Sequence, residues 1–148
     1  MPTQPFSSPV VVIGSVAASA TTGAIVAMGH RLGNAALPFA AVGAALLRRT
    51  PTVSDAALVA VGVVLHITMV FVWSALFVWL VRAAQWRDIA AAITVALGAF
   101  LLAGLIASLS GVGAATVLPL GDRVVLALAF AGALVLGMRF AFSPLRNA

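Results

Sequence analysis

Apolar residues run through this chain in long blocks that polar residues only punctuate. Four blocks are long, roughly from Pro9 to Gly29, from Pro51 to Arg82, from Asp88 to Leu109 and from Asp122 to Phe142. A hydrocarbon slab about 30 Å thick takes roughly 20 apolar residues of α-helix, so each block can cross a bilayer. A fifth block, residues 35–47, is too short to cross, is broken by Pro38 and is bounded by arginines, so an interfacial or re-entrant position is expected for it. The pattern predicts an all-α fold: a polytopic transmembrane four-helix bundle, one integral membrane domain over residues 1–148, with a short interfacial or re-entrant segment after the first helix.

Polar residues mark the block ends. Ser8 followed by Pro9 suits an N-cap and first helical position, since proline lacks a backbone donor that would be unpaired there anyway. Asp55, Asp88 and Asp122 each fall in or just before the first turn of a block, where a carboxylate caps free amides and meets the positive end of the helix dipole. The second block is about 48 Å long at 1.5 Å per residue, longer than the slab, so it must tilt or project. Trp79, Arg82, Trp86 and Arg87 fix its far end at an interface. Counting back about 20 residues puts the other boundary near Val59, with His66 roughly 10 Å inside the apolar layer. Residues 110–121 read as a turn-rich loop at the bilayer surface.

Composition removes several classes of function. At 64% apolar and 7% charged residues, with a mean hydropathy of +1.22, the chain has no room for a soluble domain. Eight arginines against three aspartates give a net charge of +5, but the arginines sit singly or in pairs at block ends, as interfacial anchors and not as the basic stripe that nucleic acid requires. There is no cysteine, hence no disulfide, thiolate metal site or thiol nucleophile. Val16 to Ala20 looks like a signal-cleavage site, yet no basic region precedes it, and the first block is expected to remain part of the chain. With four spans, Arg31, Arg48, Arg49 and Arg123 lie on one side and Arg82, Arg87, Arg139 and Arg146 on the other, so the positive-inside rule gives a near tie.

Helices in lipid associate through close backbone approach, which small residues four apart permit. Three such ridges stand out: Ser15, Ser19, Gly23 and Ala27; Ala99, Ala103, Ala107 and Gly111; Ala129, Ala133 and Gly137. The second block instead carries Met69, Phe71, Trp73, Phe77 and Trp79, bulk that fills the bundle centre or faces a partner.

One ionisable side chain lies deep within a block. His66 shares a helix face with Gly62, Met69 and Trp73, at i−4, i+3 and i+7. An intramembrane imidazole is costly, so a partner or a role is expected for it. One expectation is a cross-bundle hydrogen bond to a hydroxyl such as Ser19, Thr94 or Ser108. A second is ligation of a macrocycle metal. Gly62-x-x-x-His66 with Trp73 on the same face resembles the pigment-binding histidine of bacterial antenna helices, over about a dozen residues of one helix. That resemblance implies His66 as axial ligand, with Gly62 and Trp73 as its cofactor-binding neighbours and a porphyrin-type cofactor between them. His30, at a block end, lies at the wrong depth to be a second ligand to the same iron. A third is a proton or solute path through His66, since an unperturbed imidazole suits proton transfer, with only Thr68, Ser74 and Thr94 adding polarity nearby. No nucleophile triad or metal-hydrolase set can be assembled from these residues, and Gly111-x-Gly113 is not followed by the helix and lysine of a phosphate cradle.

The order of a small-residue first helix, a second with Gly62-x-x-Leu65-His66 leading to Trp73-Ser74-x-Leu76-Phe77, and two Gly/Ala-rich helices is similar to small uncharacterised bacterial four-helix integral membrane proteins. The resemblance implies the four-helix fold and no activity. The expected function is a non-enzymatic accessory or scaffolding subunit of a larger membrane complex in a bacterial inner membrane, with the bilayer and other membrane subunits, or further copies of itself, as partners. A pigment- or haem-binding subunit is the alternative, and a small channel or transporter comes third.

Overall fold

The computed structural model of the chain describes residues 8–111 and 117–142, with no strand among them. Five helices are described in full: α1 (Pro9–Arg31), α2 (Leu37–Leu47), α3 (Ala56–Arg82), α4 (Asp88–Ser110) and α5 (Leu120–Phe142). All but α2 are long and apolar enough to cross a membrane, so this is a multi-pass, all-helical membrane protein. Arg146 and much of the loop before α5, including Gly113, fall outside the described residues.

The helix ends form largely as their residues dictate. Asp55 caps α3, its carboxylate accepting from the amides of Ala57 at 3.0 Å and Leu58 at 3.4 Å. Because that cap fixes the start of the helix, Pro51 to Ser54 stay outside it, and the helix is shorter than the apolar block that contains it. Asp88 accepts from the Ile89 amide at 2.9 Å in the first turn of α4. Asp122, in the first turn of α5, is ion-paired with Arg31 at the end of α1. Ser8 does not cap with its side chain; its carbonyl accepts from Val11 at 2.7 Å, as Pro9 opens the helix.

α2 neither crosses the bundle nor lies loosely on its surface. Pro38, Phe39, Ala40, Ala41, Gly43 and Ala44 are buried. The contact with α3 is backbone on backbone: a Cβ on Gly62 would stand 1.9 Å from the Phe39 carbonyl oxygen, and one on Gly43 would stand 2.0 Å from that of Leu58. Phe39 lies beside Gly62 and Gly43 beside Leu58, so α2 runs antiparallel to the first turns of α3. It starts at depth and ends outward at Arg48, which is the left-handed C-cap of α2. The expected short segment after the first helix is thus a helix docked against α3.

The bundle has two unlike halves. Where α1 starts and α5 ends, the helices close on one another. Ile13, Ala17, Val70, Phe77, Leu80, Ala92, Val95, Phe130, Ala133 and Leu134 form one buried cluster there. A Cβ on Gly137 would lie 2.9 Å from the Ile13 Cα, so α1 and α5 touch through their backbones. The Arg82 guanidinium lies 5.4 Å from the centre of the Phe142 ring, joining α3 to α5 at this end. Towards the other end, where α2 docks, the long helices enclose an open cavity of about 1250 Å³ instead of a packed core.

One of the three small-residue ridges packs as expected and one does not. Ala133 and Gly137 are buried between α5 and α1. Ser15, Ser19, Gly23 and Ala27 are exposed, and α1 buries Ile13, Gly14, Ala17, Thr21, Ile25 and Met28 instead. In a helix this rich in alanine, glycine and serine, small residues occupy every face, and the core side is chosen by the larger side chains that fill it. On α4, Ala99 and Ala103 face the cavity, only Ala107 of its ridge is buried, and Ile93, Leu97, Leu101 and Leu105 turn outward to lipid.

Candidate functional site: a cavity with His66 on its wall and arginines at its rim

His66 sits where α1, α2 and α3 meet. Its Nε2 lies 3.2 Å from the Thr21 hydroxyl of α1, and its ring meets that of Phe39 of α2 edge-on, with centroids 5.8 Å apart and planes at 67°. The direction of the hydrogen bond follows from counting protons. Thr21 has one hydroxyl proton, and the carbonyl of Ala17 takes it at 2.8 Å within the same helix. The hydroxyl therefore accepts from Nε2–H of His66, which leaves Nδ1 as the unprotonated nitrogen. Among the described residues Nδ1 has no hydrogen-bond partner.

The expected cross-bundle bond is thus present, with a partner that the sequence reading did not name. Ser19, Thr94 and Ser108 are all exposed, and Ser108 donates to the carbonyl of Leu105. Thr21 lies two residues from Ser19, on the opposite face of α1, and unlike Ser19 it is buried. Of the other polar residues near the histidine, Ser74 is buried and donates to the Val70 carbonyl at 2.8 Å, whereas Thr68 and Thr94 face outward.

The face shared by Gly62, His66, Met69 and Trp73 serves two purposes. The space left by the missing side chain of Gly62 is taken by α2. His66, Met69 and Trp73, further along, line the cavity, and the Trp73 ring rests on α4, 3.3 Å from where a Cβ on Gly98 would be. His30 is in the last turn of α1, nine residues from Thr21 and hence about 14 Å along the axis from the level of His66. The two histidines are not brought together, and among the described residues no three metal-ligating side chains gather.

Leu65, Val70, Ala99, Phe100, Leu126 and Phe130 make up much of the apolar wall. The polar groups lie at two levels, with His66 and Thr21 deep and Arg48, Arg49, Thr50 and Arg123 towards the outer end of α2 and the start of α5. Interfacial anchoring is the role expected of the arginines. Arg123 does not behave as an anchor: its guanidinium lies 5.8 Å from the centre of the Phe100 ring, and its Nε is buried with no hydrogen-bond partner among the described residues. The helical pattern could have flagged it, since Arg123 shares a helix face with Ala127 and Phe130, which also line the cavity.

No protein-family profile, no curated protein and no solved structure matches the chain.

Proposed function

We propose that this chain is a non-enzymatic accessory subunit of a bacterial inner-membrane assembly and that its contribution is the open half of its bundle, a chamber that holds a hydrophobic or amphipathic molecule within the bilayer. The observation that carries the reading is the cavity itself. Its volume of about 1250 Å³ exceeds the roughly 300–1,000 Å³ typical of small-molecule sites. Its walls are apolar, and its few polar groups stand at defined depths, as in sites where apolar surface supplies affinity and a few polar atoms fix orientation. Solubilising native membranes in mild detergent and isolating the chain tests both parts. Co-purifying subunits together with an extractable small molecule are expected. A bare monomer that yields no molecule from its cavity sinks the reading.

A macrocycle ligated by His66 is the second reading, favoured by the room beside the imidazole. It requires the ring to lie on the cavity side, because α2 fills the space at Gly62, and it requires a ring nitrogen facing that way. An absorption spectrum of the unheated protein decides it. A Soret or bacteriochlorophyll band that disappears in His66→Ala supports ligation, and a colourless preparation rules it out.

A further inference from the structure

We infer that the chamber is a site for an anionic phospholipid, with the lipid phosphate seated at Arg123 and Arg48 and an acyl chain running inward to His66 and Trp73. The inference rests on the chamber being a binding site and adds the chemistry of what it binds.

The argument begins with charges at this end of the bundle. Arg31 is paired with Asp122, and Arg49 lies 3.7 Å from Asp55. That uses both aspartates of this end, leaving Arg48 and Arg123 without an acidic partner among the described residues, and both line the cavity. The cavity therefore carries positive charge that nothing in the described chain neutralises.

Arg123 makes the case specific. An arginine near a helix end ordinarily snorkels, sending its guanidinium out to the headgroup layer. Here the side chain turns inward over Phe100, which lies ten residues before the end of α4 and so about 15 Å down that helix. Its Nε is out of reach of solvent and has no acceptor among the described residues. A desolvated, unsatisfied donor on a fixed cation is unfavourable unless something supplies the missing acceptor, and the ring contact offers no lone pair. Phosphate oxygens fit a guanidinium fork in a paired geometry, and a second arginine at the rim adds to their attraction. Most of the remaining cavity wall is apolar, which suits a hydrocarbon chain and not a free phosphate ion.

Trp73 offers a direct readout. The full chain, with Trp79→Phe and Trp86→Phe so that Trp73 alone emits, is reconstituted in phosphatidylcholine vesicles doped with either phosphatidylglycerol or phosphatidylcholine carrying brominated acyl chains. The brominated anionic lipid should quench Trp73 at about tenfold lower mole fraction than the zwitterionic one, the factor expected of a charge-assisted hydrogen bond. Arg123→Gln together with Arg48→Gln should abolish that preference while leaving quenching by both lipids. Gly104→Phe, at a cavity-lining position where a Cβ meets open space, should reduce quenching by both. Equal quenching by the two lipids, unchanged by the arginine substitutions, overturns the headgroup assignment but leaves the chamber. Quenching by neither lipid, or quenching that Gly104→Phe does not change, overturns the chamber itself.

Discussion

The two halves of this bundle are built from the same four long helices, yet one is packed and the other is hollow. In the closed half, α1 meets α5 through Gly137 and Ile13, and Phe77 of α3 is fully buried among Val95, Phe130 and Leu134. In the open half, α4 stands away from α3, and α2 is laid along α3 without filling the gap. In lipid, apolar surface gains nothing by leaving the solvent, so helices pack only where their shapes fit. The closed half achieves that fit by interlocking large and small residues of α1, α3, α4 and α5 in one buried cluster. The open half applies its closest fit, Gly43 against Gly62, to holding a short helix at the wall. Its arginine and histidine face a space the protein does not fill.

If the open half is held open by α2, breaking the α2–α3 seam should have the largest effect. Gly62→Leu places a side chain where the Phe39 carbonyl now stands 1.9 Å from a bare Cβ position, and backbone cannot yield as a flexible side chain can. The expected cost exceeds about 3 kcal/mol, the upper end for overpacking, and α2 should leave its place. The chain has no native cysteine, so Ala40→Cys, buried in the wild-type bundle, reports directly. Its maleimide labelling in membranes should be slow in the wild-type background and fast with Gly62→Leu. Labelling that stays slow would mean that α2 is held by something other than the glycine seam.

A pair of opposite substitutions tests the packed and hollow assignments together. Phe77→Ala empties a filled site. With the transfer contribution absent in lipid, the cavity contribution remains, and at about 24 cal/mol per Å³ a void of about 100 Å³ costs about 2–3 kcal/mol. Gly104→Phe adds comparable bulk where there is open space and should change stability by no more than about 0.5 kcal/mol. Unfolding in mixed micelles by titrated SDS measures both. Equal losses for the two variants would remove the distinction between the halves.

How far the sequence announces these halves can be read residue by residue. The four spans, the carboxylate at each of three helix starts, and the common face of Gly62, His66, Met69 and Trp73 are all legible, because length, capping chemistry and helical spacing are local properties. The choice of core face on α1 is not. In a soluble helix the polar side marks the outside; in a bilayer, core and lipid both call for apolar residues, so Ser19 and Thr21 present the same signal although one is exposed and the other buried. Gly62 is legible as a position of close approach, but not as a seat for α2, since glycine records that something comes near without recording what it is. Arg123 looks like any other interfacial arginine until Phe100 is seen to hold it inward.

The smallest expected effect concerns the floor of the open half. Thr21 and His66 are joined by a hydrogen bond of 3.2 Å between α1 and α3, the deepest polar contact in the cavity wall. Interhelical hydrogen bonds in membranes average about 0.6 kcal/mol and rarely exceed about 1.7 kcal/mol, because the alternatives in lipid find partners too. A double-mutant cycle with Thr21→Val and His66→Leu should therefore give a coupling near about 0.6 kcal/mol, read from the same SDS titration. A coupling of zero would mean that the imidazole is positioned by Phe39 and the α2 shelf alone, so the open half would be shaped by packing even at this polar junction. A coupling well above the usual range would mark the pair as a fixed part of the wall.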